Sequence, residues 1–267
     1  MNTELFDTHC HLQDFYGKAT EVWNRAKLAG ITKCVIVGTN LHDAQNAAAL
    51  AEKLSGSYLA VGIHPVNAGE PSQNISNLRA HFDSPNLVAI GESGLDYYRS
   101  RNPRKRIQFQ SLREHLTAAN DLGLPVIIHI RPKTNSISDT NEIHEDLINV
   151  LENSPRATCI IHCFVGTTEH AKKLIDLGHF ISLAGNLTHL NDLGNRLRET
   201  VTHLPNDRLL IETDAPYIRP QGRKGRNEPA FVIDTLVALS KAKNTSAEEM
   251  APTIWENSLN AFKLRSS

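Results

Sequence analysis

Residues 104–129 read RKRIQFQSLREHLTAANDLGLPVIIH, and they contain the structural unit that the rest of the chain repeats. Apolar residues recur at helical spacing from Arg104 to Leu122, Gly123 is the expected helix stop, and Pro125 lies two residues further on. The apolar run Val126–His129 then predicts a buried strand that ends on a histidine. A helix, a glycine and a buried strand are therefore expected in that order.

The same alternation runs through the chain and predicts eight strands: Leu5–Thr8, Lys33–Val37, Tyr58–Ile63, Leu87–Gly91, Val126–His129, Thr158–His162, Phe180–Ala184 and Leu209–Thr213. Helices are predicted at Lys18–Ala29, Leu41–Leu54, Arg104–Leu122, Thr168–Leu177, Pro229–Ala242 and Ala247–Phe262, with less regular patterns after Gln73, Glu142 and Asp192. Several strands are almost continuously apolar, which is typical of strands covered on both faces. We expect an α/β protein with residues 1–267 in a single (β/α)8 TIM barrel and an extra C-terminal helix. An open doubly wound sheet is the alternative.

Composition excludes several classes of protein. The chain has 267 residues, of which 40% are hydrophobic and 21% charged, so it is neither disordered nor a charged repeat. A net charge of -1 excludes binding to nucleic acid through overall positive charge. No apolar run approaches the roughly 18 residues of a membrane span. The N-terminal Met1–Glu4 lacks the basic start of a signal peptide, and the four cysteines are read as free thiols, so the cytoplasm is expected.

Histidines and carboxylates follow six of the eight predicted strands: His9 and His11, His64, Glu92, His129, His162 and Asp214. In a barrel the carboxyl ends of all strands meet at one rim, where the active site lies. Imidazole and carboxylate are the ligands that zinc and related divalent ions prefer. His9 and His11 are two residues apart, so both point to the same side of an extended chain. The sequence therefore predicts a metal site at this rim.

The competing interpretations of these residues are structural. His64 could cap a loop before Pro65, Asp214 could cap a helix, and histidines at strand ends can simply be buried. Eight further histidines lie in predicted helices, loops or strand starts and are expected to be solvated or structural: His42, His81, His115, His144, His170, His179, His189 and His203. Cys10 and Cys163 flank candidate ligands, and we expect them to pack rather than to bind metal or act as nucleophiles.

Six motifs carry a resemblance to a known family: Asp7-Thr8-His9-Cys10-His11-Leu12, Gly62-Ile63-His64-Pro65, Gly91-Glu92-Ser93-Gly94-Leu95-Asp96-Tyr97-Tyr98, His162-Cys163-Phe164-Val165-Gly166-Thr167, Leu210-Ile211-Glu212-Thr213-Asp214-Ala215-Pro216-Tyr217 and Arg226-Asn227-Glu228-Pro229. In this order they resemble the signatures of the TatD-type metal-dependent deoxyribonucleases, which belong to the amidohydrolase-like barrels. The resemblance extends from Phe6 to the C-terminal Asn257–Phe262.

The resemblance implies a (β/α)8 barrel with a two-metal site and 3′→5′ exonuclease action on DNA. By the resemblance, His9, His11 and Asp214 would hold one ion, His129 and His162 would hold the second, and Glu92 would bridge the two. The chain departs from the family pattern after His129. It continues Arg131-Pro132-Lys133 and stays polar to Thr140, an apparent insertion over the mouth of the fifth strand that affects substrate access rather than the metals.

The expected reaction is hydrolysis of a DNA phosphodiester, with two divalent ions (zinc, manganese or magnesium) activating water. Asp214 and Glu92 are the predicted catalytic carboxylates, and Asp96 is expected to orient a neighbouring ligand. Basic clusters after strands four and eight would contact the phosphates: Arg99, Arg101, Arg104, Lys105 and Arg106, and Arg219, Arg223, Lys224 and Arg226. Predicted substrate contacts are His64, Arg226, Asn227 and either Tyr97 or Tyr98, with Tyr97 preferred.

Single-stranded DNA, or a DNA 3′ end, is the expected partner, with no membrane and no obligate protein partner. Two alternatives stay open: a hydrolase of amides, cyclic amides or small esters, and a non-catalytic protein. Relatives of the first kind often bridge their metals with a carboxylated lysine, but Glu92 occupies that place here. A non-catalytic protein should have lost a ligand, whereas all six candidates are present.

Overall fold

The computed structural model describes residues 4–99, 101–154 and 157–265. Met1–Thr3, on which the expectation of no signal peptide partly rests, lie outside the described residues. Its strands are β1 (Leu5–Cys10), β2 (Ile31–Gly38), β3 (Ser57–Val61), β4 (Leu87–Asp96), β5 (Val126–Arg131), β6 (Cys159–Ile161), β7 (Phe180–Leu183) and β8 (Leu209–Ile211). All pair in parallel with the next strand of the sequence. The sheet closes where the N–H of Asp214 donates to the carbonyl of His9 (2.9 Å) and that of His11 to Ala215 (2.7 Å). The predicted (β/α)8 barrel is confirmed.

The described residues contain eight α-helices: α1 (Ala19–Leu28), α2 (Leu41–Lys53), α3 (Lys105–Leu122), α4 (Ile137–Glu152), α5 (Thr168–Asp176), α6 (Asp192–Thr202), α7 (Val232–Ala242) and α8 (Ala247–Ala261). Between β3 and β4 the pattern after Gln73 forms a 3₁₀ helix, Ile75–His81, instead of an α-helix. The start of the helix predicted at Pro229 is also 3₁₀, at Pro229–Phe231. None of these helices is long and apolar enough to cross a membrane.

Helix α4 begins earlier than the sequence pattern after Glu142 indicated. Ser136 is its N-cap, because the Ser136 hydroxyl accepts the N–H of Asp139 at 3.2 Å and satisfies a donor that the helix leaves free. The apparent insertion after Arg131 therefore consists of a short loop followed by the first turn of α4. Only the loop remains to cover the mouth of the fifth strand.

The predicted extra C-terminal helix closes the lower end of the barrel, where the strands begin. The ring of Phe6 in β1 lies 5.7 Å from that of Phe262, 6.3 Å from that of Trp255 in α8 and 6.0 Å from that of Tyr58. These side chains join an apolar cluster inside the barrel that includes Phe6, Val35, Val37, Ala60, Ile127, Ile160 and Leu210. With this end filled, the open end of the barrel is the one that carries the predicted metal ligands.

Strand β4 continues past Gly91, where the sequence predicted its end, to Asp96. The pairing of β4 with β5 shifts between Ile90 and Ser93, which is the irregularity of a β-bulge. Gly94 allows the two strands to stay together after this shift, because a Cβ at Gly94 would overlap the carbonyl oxygen of His129. The extension keeps both Glu92 and Asp96 on a paired, buried strand rather than on a loop.

Candidate metal centre

The six predicted metal ligands converge at the open end of the barrel. His9 lies at the end of β1, Glu92 in β4 and His129 in β5. His11 and His162 follow directly after β1 and β6, and Asp214 lies three residues after the end of β8. A cavity of about 920 Å³ opens above them, lined among others by His11, Glu92, His129, His162 and Asp214. The barrel thus brings together residues that are more than 200 positions apart in the chain. The predicted ligands therefore meet at one site, and their role in binding metal stays a prediction.

One group of donor atoms is formed by His9, His11, Glu92 and Asp214. The Nε2 atoms of His9 and His11 are 3.2 Å apart. Oδ1 of Asp214 lies 3.7 Å from Nε2 of His9 and 3.3 Å from Nε2 of His11. Oε2 of Glu92 lies 3.5 Å and 3.9 Å from the same two nitrogens. Two imidazoles and two carboxylates therefore face one point.

A second group uses the other oxygen of the same glutamate. Oε1 of Glu92 lies 2.6 Å from Nδ1 of His129 and 3.7 Å from Nε2 of His162. Glu92 is thus placed between two sets of histidines, with one oxygen toward each. A carboxylate in this position can bridge two cations, which is the role that the family resemblance implied for it.

Polar contacts on the far side of the ring determine which nitrogen of three ligands faces the centre. Nδ1 of His11 donates to the carbonyl of Val37 (2.8 Å), so its Nε2 carries a lone pair. Nδ1 of His162 lies 2.8 Å from Oε1 of Glu212, which holds the proton on that side and leaves Nε2 as an acceptor. Nε2 of His129 lies 3.3 Å from Oδ2 of Asp96, so Nδ1 faces Glu92.

The donor set fits divalent cations. The lone pairs that point inward belong to imidazole nitrogens and carboxylate oxygens, which are buried except for the partly buried His129, and acceptors alone cannot satisfy one another. Four groups of three such residues have their ligand atoms within 4.8 Å of one another among the described residues. Buried charges of this kind are expected to be paired or to coordinate metal. A cation at each group would remove the repulsion between the facing lone pairs.

The pKa shifts show how strongly the charges of this site are coupled. Burial raises the pKa of Glu92, but His162, His64, His129 and His9 outweigh it and hold that pKa well below its usual range. Burial lowers the pKa of His162, yet Glu212 and Glu92 raise it to about 10. Without another cation, a proton bound to a histidine therefore supplies the positive charge that stabilises these carboxylates.

His64 differs from the ligand histidines. The N–H of Val66 donates to its Nδ1 at 3.2 Å, so the neutral ring carries its proton on Nε2. That Nε2 lies 3.7 Å from Oε1 of Glu92 and lines the cavity. Burial, with help from His129, lowers the pKa of His64 to about 3, which keeps the ring neutral. The Nε2–H of His64 is therefore available at the cavity wall, and its contact with substrate stays a prediction.

Two predicted substrate contacts are not on the cavity wall. Asn227 is fully buried, and its Nδ2 donates to the carbonyls of Thr213 (2.7 Å) and Tyr217 (2.5 Å), so it braces the loop instead. Tyr97 donates its hydroxyl to Asp146 in α4 at 2.7 Å, while its neighbour Tyr98 lines the cavity. Consecutive residues of an extended segment point to opposite sides, so only one tyrosine can face the rim.

Arg226 also lies away from the cavity wall. Its guanidinium is 5.0 Å from the ring centroid of Phe15 and 6.0 Å from that of Tyr16, an exposed position beside the rim. Arg223 pairs with Asp234 and Lys105 with Asp146, so parts of both predicted basic clusters are engaged within the protein. Residues of the cavity wall are therefore better candidates than Arg226 for direct contact with a molecule in the cavity.

Seven of the eight remaining histidines lie outside the cavity wall, where they were expected to be solvated or structural. His115, His144, His170 and His179 are buried outside the cavity, whereas His42, His81 and His203 are more exposed. His189 is the exception, since it lines the cavity. All four cysteines are free. Cys10 packs with its thiol toward the carbonyl of Val35 (3.4 Å), and Cys163 lines the cavity.

The sequence interpretation missed the residues that support the ligands. Glu212 is fully buried and Asp7 accepts hydrogen bonds from the N–H and hydroxyl of Thr213. Glu212 lies two residues before Asp214, and Asp7 lies two residues before His9. Residues two apart in an extended chain point to the same side, and this spacing was the signal available in the sequence. Tyr217 and Arg131, which also line the cavity, carried no distinct signal.

Comparisons with known proteins agree with this geometry. Residues 6–263 match the model of the TatD related DNase family. The chain is 34% identical over 269 residues to YabD of Bacillus subtilis, named an uncharacterized metal-dependent hydrolase, covering 97% of this chain and 99% of that one. It is 34% identical over 271 residues to a Pantoea vagans protein named 3′-5′ ssDNA/RNA exonuclease TatD, covering 97% of this chain and 100% of that one.

A solved structure has the same architecture. The TatD homologue YjjV of Escherichia coli K12 superposes with a TM-score of 0.87 at 28% identity, covering 99% of this chain and 100% of that chain. The barrel, the clustered histidines and carboxylates, and the match over nearly the whole sequence lead to one conclusion. The chain belongs to the TatD family of metal-dependent hydrolases.

Proposed function

We propose that this protein hydrolyses phosphodiester bonds of DNA and removes nucleotides from the 3′ end of a single strand. The position of Glu92 carries the proposal, because its two oxygens face two separate groups of histidines. Two ions held by one carboxylate are suited to in-line displacement at phosphorus. The name of the Pantoea vagans relative, which describes a 3′-5′ exonuclease on single strands, supports this substrate and direction.

In the proposed site, His9, His11 and Asp214 would hold one ion, His129 and His162 would hold the other, and Glu92 would contact both. Divalent ions bound there would lower the pKa of a water molecule and neutralise the charge that develops on the phosphate. Zinc or manganese suits these imidazole donors better than magnesium, which prefers oxygen ligands. Cytoplasmic location is part of the proposal and is supported by the free thiols.

Asp214 is the proposed general base. Burial raises its pKa, but His11, His162 and His9 lower it below its usual value, so it is an ionised carboxylate at neutral pH. It would accept the proton of the attacking water as the water oxygen bonds to phosphorus and the bond from phosphorus to O3′ breaks. The O3′ takes up a proton from solvent, which leaves a 3′ hydroxyl on the strand and releases a nucleotide 5′-phosphate.

Nε2–H of His64 is placed to donate a hydrogen bond to an oxygen of the bound phosphate. A neutral donor that is already oriented loses little on binding and contributes when charge increases on that oxygen. Tyr98 and Tyr217, which are 50% and 52% exposed at the cavity, offer aromatic faces to the bases of a single strand.

The test is to titrate chelated protein separately with magnesium, manganese and zinc, and to assay a 5′-labelled single-stranded DNA beside bis(p-nitrophenyl) phosphate. We expect a metal-dependent ladder that shortens from the 3′ end. Asp214→Asn should lower the rate by about 10²–10⁴-fold with the fold retained, as for loss of a general base. Asp207→Asn is the control, since Asp207 is exposed outside the cavity.

Each outcome decides between the proposed function and its alternatives. Cleavage of the small ester alone would favour a hydrolase of small esters or amides in the same barrel. No turnover with any ion, despite stoichiometric binding, would overturn the nuclease proposal. Full activity of Asp214→Asn would remove this carboxylate from the proton transfer.

A further inference from the structure

A smaller pocket of about 390 Å³ opens beside the main cavity on the side of β4 and β5. It shares His64, Val66, His129 and Arg131 with the main cavity, so the two are continuous. Its remaining walls are Asp96, Arg99, Arg101 and Asn102. The pocket therefore begins at the histidines of the second ligand group and leads away from them past three arginines.

These arginines have no ion-pair partner in the described part of the chain. Within residues 4–99, 101–154 and 157–265, the ion pairs involve Arg25, Lys105, Arg208 and Arg223 but none of Arg99, Arg101 and Arg131. Arg131 is oriented, because its guanidinium lies 3.8 Å from the centroid of the Tyr98 ring. Three guanidinium groups beside a metal centre attract an anion.

Among the described residues that line the pocket, Asp96 is the single carboxylate, and its oxygens are already engaged. Oδ1 accepts the N–H of Tyr98 (2.9 Å) and Nδ2 of Asn102 (2.7 Å), and Oδ2 lies 3.3 Å from Nε2 of His129. Asp96 is also only 3% exposed. One engaged carboxylate against three guanidinium groups leaves the pocket with a net positive charge.

We propose that Arg99, Arg101 and Arg131 form an anion subsite that holds the phosphate immediately 5′ of the bond being cleaved. This inference rests on the proposed nuclease function and specifies its substrate. The last nucleotide of a strand with a 3′ hydroxyl has no phosphate on its 3′ side. The one neighbouring phosphate is therefore on the 5′ side, and planar guanidinium groups bind phosphate oxygens in pairs.

The subsite predicts that a second phosphate is part of what the enzyme recognises. With manganese-loaded or zinc-loaded protein, kcat/KM for the 5′-phosphorylated dinucleotide pTpT should exceed that for TpT by at least about tenfold, the effect of one charged hydrogen bond. The double variant R99Q/R101Q should lose most of this ratio. R113Q, the same change on the exposed face of α3 outside both pockets, should keep it.

The hydrolysis assay also tests whether the subsite lies on the 5′ or the 3′ side of the cleaved bond. A preference for TpTp, which carries the extra phosphate on the 3′ side, would overturn the assignment. An R99Q/R101Q enzyme that keeps the wild-type ratio of pTpT to TpT would overturn it as well, while cleavage of either dinucleotide would leave the proposed nuclease function standing.

Binding separates the subsite from the nuclease proposal. Thymidine 3′,5′-bisphosphate should bind the metal-loaded protein at least about tenfold more tightly than thymidine 3′-monophosphate, and R99Q/R101Q should remove the difference. Calorimetric titration measures both affinities without turnover. If no dinucleotide is cleaved but this difference is present, the subsite is supported and the nuclease function fails. If wild-type protein binds both equally, the subsite is wrong regardless of hydrolysis.

Discussion

Oε1 of Glu212 lies 2.8 Å from Nδ1 of His162, and this buried contact determines which nitrogen of the imidazole faces the metal centre. The other oxygen of Glu212 accepts the hydroxyl of Ser182 at 2.6 Å, and Oε1 also accepts the N–H of Cys163 at 2.6 Å. Ser182 belongs to β7, a strand that delivers no ligand of its own. Glu212 and Ser182 thus connect two strands behind one ligand.

Glu212→Gln should weaken metal binding at the second ion position by about 10–100-fold, as substitutions behind a ligand histidine typically do. The amide keeps the size of the side chain but removes the negative charge that favours the Nδ1–H tautomer. Competition with a chromogenic chelator measures the affinity, and excess metal should restore most of the activity. Glu228→Gln, at the exposed pair with Arg25, is the matched control. Unchanged metal affinity in Glu212→Gln would contradict this role.

Tyr217→Ala should raise KM for single-stranded DNA by about 5–150-fold, the range for loss of one base stacked on an aromatic ring. The Tyr217 ring lies 5.8 Å from that of His11, and its hydroxyl donates to Asp14 at 2.7 Å, so the side chain is held at the cavity mouth. The KM for bis(p-nitrophenyl) phosphate, which carries no nucleobase, should change less. Tyr16→Ala, which removes a more exposed ring outside the cavity, is the control; an equal effect of both would reject stacking by Tyr217.

His115 should make stability depend on pH. Burial lowers its pKa from 6.5 to about 4, and its Nε2 accepts the N–H of Ile63 at 2.9 Å, which requires a neutral ring. Below pH 6.5 the His115 imidazole is protonated in the unfolded chain but stays neutral in the folded protein until the pH falls to about 4. The stabilisation is therefore complete above pH 6.5 and is lost as the pH falls toward 4.

A comparison of wild type with His115→Gln separates the pH dependence of stability caused by His115 from that caused by the other histidines. The variant should be less stable at pH 7, and the difference in free energy of unfolding should shrink by about 2–3 kcal/mol as the pH approaches 4. Urea titrations at pH 7, 5.5 and 4.5 measure it. If the difference in free energy of unfolding stays constant over this range, the pKa of His115 is the same in the folded and unfolded states.

Phe262→Ala should destabilise the protein by about 3–5 kcal/mol, the usual cost of removing a buried phenylalanine. Its ring is 2% exposed and fills the lower end of the barrel against Phe6. The distance from the metal centre predicts unchanged metal affinity in the folded variant, measured beside the urea midpoint. A loss below about 1 kcal/mol would mean that the other side chains repack to fill the space.

The sequence alone determined the barrel and the six candidate ligands. Buried parallel strands require continuous apolar runs, and helices need a stop, so Val126–His129 and Gly123 are visible as local patterns. Parallel strands in a barrel place all their carboxyl ends at one rim. The histidines and carboxylates after six of the eight apolar runs therefore pointed to a common site before any distance was known.

Only the tertiary structure decided which neighbours of those ligands act on them. Glu212, Asn227, Tyr97 and Tyr98 stood in the recognised motifs, yet their roles depend on partners in other strands and helices. The bulge in β4 carries Asp96 toward His129, and the pocket of Arg99, Arg101 and Arg131 joins two strand ends. Local periodicity fixes the side of a strand to which a residue points. The residue it meets there depends on the register and closure of the whole barrel, which no short stretch of sequence encodes.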